Sequence, residues 1–122
     1  MSNQDQAIEQ EIQAKGKTAP RVTPADIEAA ICREAYFTAA NGAAAAGEVV
    51  YSDDDGLRCL TFCVLILKNG FIVTGESACA SPENFDEEIG RKIARDNAVQ
   101  KIWMLEGYLS KQKMYEQASH AE

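Results

Sequence analysis

Thr61, Thr74, Glu76, Ser77 and Ser81 are the side chains of this sequence best suited to chemistry. Four of them fall within GFIVTGESACASPENFD, residues 70–86, and Thr61 stands on the apolar run just before it. Hydroxyls and one carboxylate gathered on a sheet face could read sugar hydroxyls or a base edge by hydrogen bonding. Ser81 precedes a proline and caps a predicted helix, whose free N–H groups could hold a phosphate. Asp86, Glu87 and Glu88 oppose an anion in the turns that follow. The plainer alternative is a solvated sheet face with a helix cap beside it.

Covalent and metal chemistry have less to work with. Cys63 and Cys79 are candidate nucleophiles, yet the only histidine, His120, lies in a polar stretch near the C-terminus. Cys59 and Cys63 share a predicted strand, where four residues separate them by roughly 13 Å, too far to ligate one ion. Asp53, Asp54, Asp55 and Gly56 form a predicted turn that lacks the alternation of a calcium loop. The sequence therefore implies no metal, no cofactor and no catalytic set.

These groups depend on the elements that carry them. Residues 3–15 predict a short helix ending at Gly16, and KTAPRV reads as a linker. Thr23, Pro24, Ala25 and Asp26 combine a capping hydroxyl, a first-turn proline and an acid three residues after the cap. That helix is expected to reach Phe37, with TAANGAAAAGE as a loop and residues 48–52 as a short strand. LRCLTFCVLILK, Asn69-Gly70 and FIVTGESAC then read as a hairpin, because Asn-Gly suits a two-residue turn.

That turn sets Lys68 opposite Phe71 and Phe62 opposite Ser77. Leu60, Phe62, Val64, Ile66, Phe71 and Val73 then share a face to be buried, while Thr61, Cys63, Leu65, Thr74 and Glu76 share the other. Ser81-Pro82-Glu83 starts the last helix, with Glu87 to Arg91 and Glu88 to Lys92 as four-apart pairs. Its expected buried face runs through Ile89, Ile93, Ala94, Ala98, Ile102, Leu105 and Leu109, with Gly107 as a bend or end. The fold class is α+β: an N-terminal helix, an antiparallel meander of about three strands, and a long C-terminal helix packed on one sheet face. Residues 1–22 are expected to be flexible or partner-dependent, 23–113 to form a single domain, and 114–122 a polar tail.

With 122 residues, 46% of them hydrophobic, the chain has room for one modest core. Four cysteines fit reduced thiols, and no apolar run approaches the roughly 18 residues of a membrane span. The polar, acidic start is no signal peptide, so the expected compartment is the cytoplasm. A net charge of −7 repels nucleic acid at long range. GRKIARDNAVQKI after a strand pair is similar to the second half of a double-stranded-RNA-binding domain, but the acids at 86–88 argue for a self-paired helix face.

LTFCVLILKNGFIVTGESACASPENFDEEIGRKIARDNAVQKIWMLEGYLSKQ resembles a family of small accessory proteins of enteric tailed phages and prophages, with the similarity reaching back to EAYFTAANG, residues 34–112 in all. The resemblance implies a phage accessory protein acting in the bacterial host cytoplasm. It transfers no activity and no catalytic residue.

Two functional classes remain open. One is a counter-defence protein that binds and sequesters a nucleotide-derived immune signal without turnover, through Thr61, Thr74, Glu76, Ser77 and Ser81. The other is an acidic inhibitor that docks on a host protein, with a nucleic-acid-binding groove as one such target. A homo-oligomer is expected in either case, since Trp103, Leu105, Tyr108 and Leu109 exceed what one small sheet covers.

Overall fold

The computed structural model describes residues 3–17, 19–53 and 55–121. Two compact units divide them: residues 31–98, and the residues up to Ala30 together with those from Val99 onward. The architecture is α+β, with an N-terminal helix, a three-stranded antiparallel sheet and a long C-terminal helix.

The helical unit begins with α1, Asn3–Ala14, which stops before Gly16 at φ 67°. Helix α2, Pro24–Ala30, is opened by the expected reciprocal cap: Asp26 N donates to Thr23 Oγ1 at 3.2 Å, and Thr23 N donates to Asp26 Oδ2 at 2.9 Å. Arg21 holds Glu9 with both guanidinium nitrogens, at 2.7 and 2.8 Å, which ties the connection between α1 and α2 to α1. Pro24, Ile27, Val99 and Ile102 are the buried apolar side chains of this unit.

Helix α2 ends seven residues before the expected Phe37. Residues from Ile31 to Thr38 form strand β1, paired along its length with β2, Leu60–Leu67. Glu34 and Ala35 favour helix, but Ile31, Tyr36, Phe37 and Thr38 suit a pleated surface, and the long-range pairing decides. Cys32 is the extra residue of an irregularity near the start of the strand. Residues 48–52, expected as a short strand, are not paired into the sheet, and Val49 and Tyr51 lie exposed.

The alanine-rich stretch is helix α3, Ala39–Ala45, rather than a loop. Asn41 does not break it. Its backbone N–H donates to Thr38 Oγ1 and its side-chain oxygen accepts from Thr38 N, a complete capping box. The turn expected over Asp53, Asp54, Asp55 and Gly56 includes Asp54, outside the described residues, as is Thr18 of the expected linker; α4, Asp55–Arg58, follows.

Strand β3, Ile72–Ala78, completes the sheet in the order β1-β2-β3. The hairpin exists, but its register differs by one residue from the expected one. Leu67 N donates to the Phe71 carbonyl and Gly70 N to the Leu67 carbonyl, each at 2.8 Å, so Lys68, Asn69 and Gly70 make a three-residue loop with Gly70 at φ 90°. Phe62 therefore pairs with Glu76, Thr61 with Ser77, and Leu65 with Val73. On β2 the slip exchanges the faces, while Val73 of β3 is buried as expected. Thr61, Cys63, Leu65, Leu67 and Val73 are buried, whereas Phe62, Val64 and Ile66 are only half-buried and Ile72 is 55% exposed.

Helix α5, Glu87–Ala121, begins after a single 3-10 turn at Pro82–Asn84 and runs on through Gly107. Asp86 caps it, accepting from Ile89 N at 3.0 Å. The face it turns to the sheet is also not the expected one. Gly90, Ala94 and Ala98 are buried, while Ile89 and Ile93 are exposed. The reason is Gly75: a Cβ built there would run into the Ala94 carbonyl oxygen and the Ala98 amide nitrogen, so helix backbone lies directly on β3.

That contact generates a pair of opposite expectations for glycine substitutions. Gly75→Ala should lower unfolding free energy in urea by about 3 kcal/mol or more, because rigid backbone must move. Gly107→Ala, with nothing within 4 Å of the new Cβ, should raise it by about 0.5–1 kcal/mol.

The Glu9 clamp generates a pH dependence. Hydrogen bonds from Arg21 and Gln13 hold the Glu9 carboxyl at about 2, below the ordinary 4.5. A depressed carboxylate contributes stability that is present above 4.5 and lost as pH falls toward 2. The difference in amide-exchange protection of α1 between wild type and Arg21→Met should therefore be constant above pH 5 and shrink between pH 4.5 and 2.

Candidate functional site

The register parts Thr61 from Thr74 and Glu76, with which it was expected to share a face. Thr61 and Ser77 are paired on the face beneath α5; Thr74 and Glu76 alternate onto the opposite, exposed face. Ser81 precedes the 3-10 turn, and its side chain makes no capping hydrogen bond. Instead the Ser81 carbonyl accepts from Cys79 Sγ at 3.1 Å. The joint between β3 and α5 is thus ordered by Asp86, not by Ser81.

Thr61 is the most constrained of the five. It is 1% exposed, and its hydroxyl has no hydrogen-bond partner among the described residues. Gly90 passes over it, so closely that a Cβ there would stand 2.9 Å from Thr61 Oγ1. Burying this hydroxyl without a partner is a cost of letting the helix approach.

A different group of side chains does converge, around Tyr36 on β1. The Tyr36 hydroxyl donates to Glu34 Oε1 at 2.8 Å, and Arg95 Nε donates to the same oxygen at 2.6 Å. The Arg91 guanidinium stands over the Tyr36 ring, 5.5 Å from its centroid. Arg91 also pairs with Glu87 at 2.7 Å, and Lys92 with Glu88 at 3.2 Å, as their spacing implies. These groups line an open groove of about 640 Å³, with Tyr36 on one wall and Arg91, Lys92, Arg95 and the acids at 86–88 on the other.

Two titratable groups sit beneath the groove. Burial raises the Tyr36 phenol above its usual range, reinforced by its hydrogen bond to Glu34. Burial likewise pushes the Cys63 thiol up, against a hydrogen bond with Tyr36 that acts the other way. Cys63 is directly paired with Tyr36 across β1 and β2 and is fully buried. Both groups are neutral at pH 7, so neither is poised as a nucleophile or a base. The arrangement can offer cations, a ring face and hydrogen-bond acceptors.

Sequence pointed to part of this group. GRKIARDN marked the cationic turn of α5, and its four-apart acids marked the self-pairing. Tyr36 and Glu34 carry no such signal, because their segment reads as helix in isolation and Glu34 lies 61 residues from Arg95.

The orphaned hydroxyl gives a direct check on the helix placement. Thr61→Val removes an unsatisfied buried group while keeping the shape, and should raise the unfolding free energy by about 1 kcal/mol in urea titration.

The family model described as Phage protein (N4 Gp49/phage Sf6 gene 66) family matches residues 22–114, extending the resemblance at its N-terminal side through α2. No curated protein and no solved structure matches the chain. Among the described residues, no helix is long and apolar enough to cross a membrane.

Proposed function

The chain belongs to the N4 Gp49/phage Sf6 gene 66 family of phage proteins, and we propose that it is a phage accessory protein that counters host defence by sequestering a nucleotide-derived signalling molecule without turnover. The observation that carries this reading is the clustering of Arg91, Lys92 and Arg95 around the Tyr36 ring, in a chain with a net charge of −7.

A nucleotide presents a flat π-system and anionic phosphates. The Tyr36 ring already accepts a planar cation on its face, the kind of surface on which a base or a guanidinium stacks. The pairs Arg91–Glu87 and Lys92–Glu88 are half-exposed or more and four apart on one helix, a class worth about 0.3–0.5 kcal/mol. Such pairs exchange a carboxylate for a phosphate at little cost. Arg95 is held more firmly, with 17% of its side chain exposed and Glu34 beneath it. A fixed inner cation with releasable outer ones suits tight binding of an anion, and the neutral Tyr36 and Cys63 fit binding rather than turnover.

Thermal unfolding against a panel of cyclic dinucleotides and cyclic ADP-ribose isomers tests the reading. One member at 100 times its dissociation constant should stabilise the protein by about 2.7 kcal/mol. Arg91→Ala should weaken that binding at least about tenfold, and raised salt should weaken it further. A panel in which no member shifts the unfolding temperature would remove nucleotide sequestration as the function.

A further inference from the structure

We infer that the sheet face opposite α5 is a self-complementary surface that pairs two copies of this chain, with their strands crossing at roughly a right angle. The register defines this face. Phe37, Phe62 and Glu76 lie in one row across the three strands, Ala35, Val64 and Thr74 in the next, and Arg33, Ile66 and Ile72 in the third. Its middle is apolar, with the Phe37 and Phe62 rings 5.5 Å apart. Phe37 is 40% exposed and Ile72 55%, an apolar sheet surface of the kind that is normally covered.

The two charges on this face identify the occupant. Arg33 and Glu76 stand at diagonally opposite corners, two strands and four residues apart, about 17 Å between backbones for standard sheet spacings. They cannot reach each other within one chain. Among the described residues neither side chain has an ion-pair partner, although each has opposite charge to the other. A two-fold axis along the remaining diagonal, from Phe37 through Val64 to Ile72, lays Arg33 of each copy over Glu76 of its partner. It also sets Val64 and Ile72 on their own counterparts, with the Phe37 ring, whose other side meets Gly42 of α3, at the rim. Two-fold pairing of one surface with itself requires this kind of complementarity, and near-perpendicular strands are one of the two preferred sheet-on-sheet packings. Sheets packed about 10 Å apart leave the span an arginine and a glutamate bridge together.

This surface is on the other side of the sheet from Tyr36, so its test does not depend on ligand binding. Sedimentation of the full chain up to about 100 μM should show a dimer. Val64→Lys, at the centre of the face and not buried in the monomer, should give a folded monomer with unchanged circular dichroism. Arg33→Glu should raise the dimer dissociation constant about tenfold, by setting like charges over each other at both corners. The double swap of Arg33→Glu with Glu76→Arg should restore it to within about threefold. A wild-type monomer throughout, meaning the face is bare or serves a different macromolecule, would overturn the inference. So would an oligomer indifferent to Val64→Lys, or a double swap no better than the single one.

Discussion

The close approach of α5 to β3 at Gly75 is the constraint on which the rest of the sheet unit depends. Backbone lies on backbone there, with the Ala94 carbonyl and Ala98 amide where a side chain would be. The contact selects one stripe of the helix, Gly90, Ala94 and Ala98, spaced four apart and free of bulk. At about 100° per residue, that choice fixes where every other side chain points. Arg91 and Arg95 follow the stripe by one position and lean toward β1, where they meet Tyr36 and Glu34. Ile93 and Asn97 precede it and lean the other way, so Asn97 donates to the Glu76 carbonyl at 2.8 Å and Ile93 is left exposed. The cationic side of the groove is therefore set by a glycine on a strand that contributes nothing to the groove itself.

What sequence made legible was local. The Thr23 cap, the existence of the hairpin, the four-apart ion pairs of α5 and the α+β class all rest on interactions spanning a few residues. The register was not legible because two answers satisfied the same signal. Asn69-Gly70 serves a two-residue turn, and it serves equally as the last two positions of the loop that Lys68 begins. Hydrophobic alternation could not arbitrate, since Phe62, Val64 and Ile66 are as apolar as Cys63, Leu65 and Leu67. Size settled it instead. The face with Gly75 at its centre lets helix backbone lie directly on the strand, whereas on the other face the Phe37 ring holds α3 off at side-chain distance. Strand β1 was hidden for a different reason, because pairing with β2 overrode residues that favour helix when read alone.

The candidate site was half legible for the same reasons. Thr61, Thr74, Glu76, Ser77 and Ser81 are close in sequence, yet a one-residue slip is enough to part Thr61 from Thr74 and Glu76, and Ser77 alternates away from Glu76 in either register. The groove draws on β1 and α5, elements far apart in sequence, so no spacing rule could assemble it. Only its cations announced themselves, and the reading of them as self-paired was correct as far as it went. Self-pairing does not decide against ligand binding. Exposed pairs are weak, and their strength relative to a phosphate contact is what matters.

The electrostatics of the groove follow from depth. Arg95 and Glu34 are partly withdrawn from water and share their oxygen with the Tyr36 hydroxyl, a network in which each member limits the others' freedom. Arg91 and Lys92 lie farther out, on a helix turn whose own acids neutralise them in the absence of anything better. The acids at 86–88 serve the helix itself: Asp86 caps its first turn, and Glu87 and Glu88 pair its cations. Glu87 and Glu88 thereby balance the cations at the helix start, and both pairs face solvent. An acidic chain thus carries a local cationic turn whose charge is balanced within the turn itself, while its overall charge repels long polyanions.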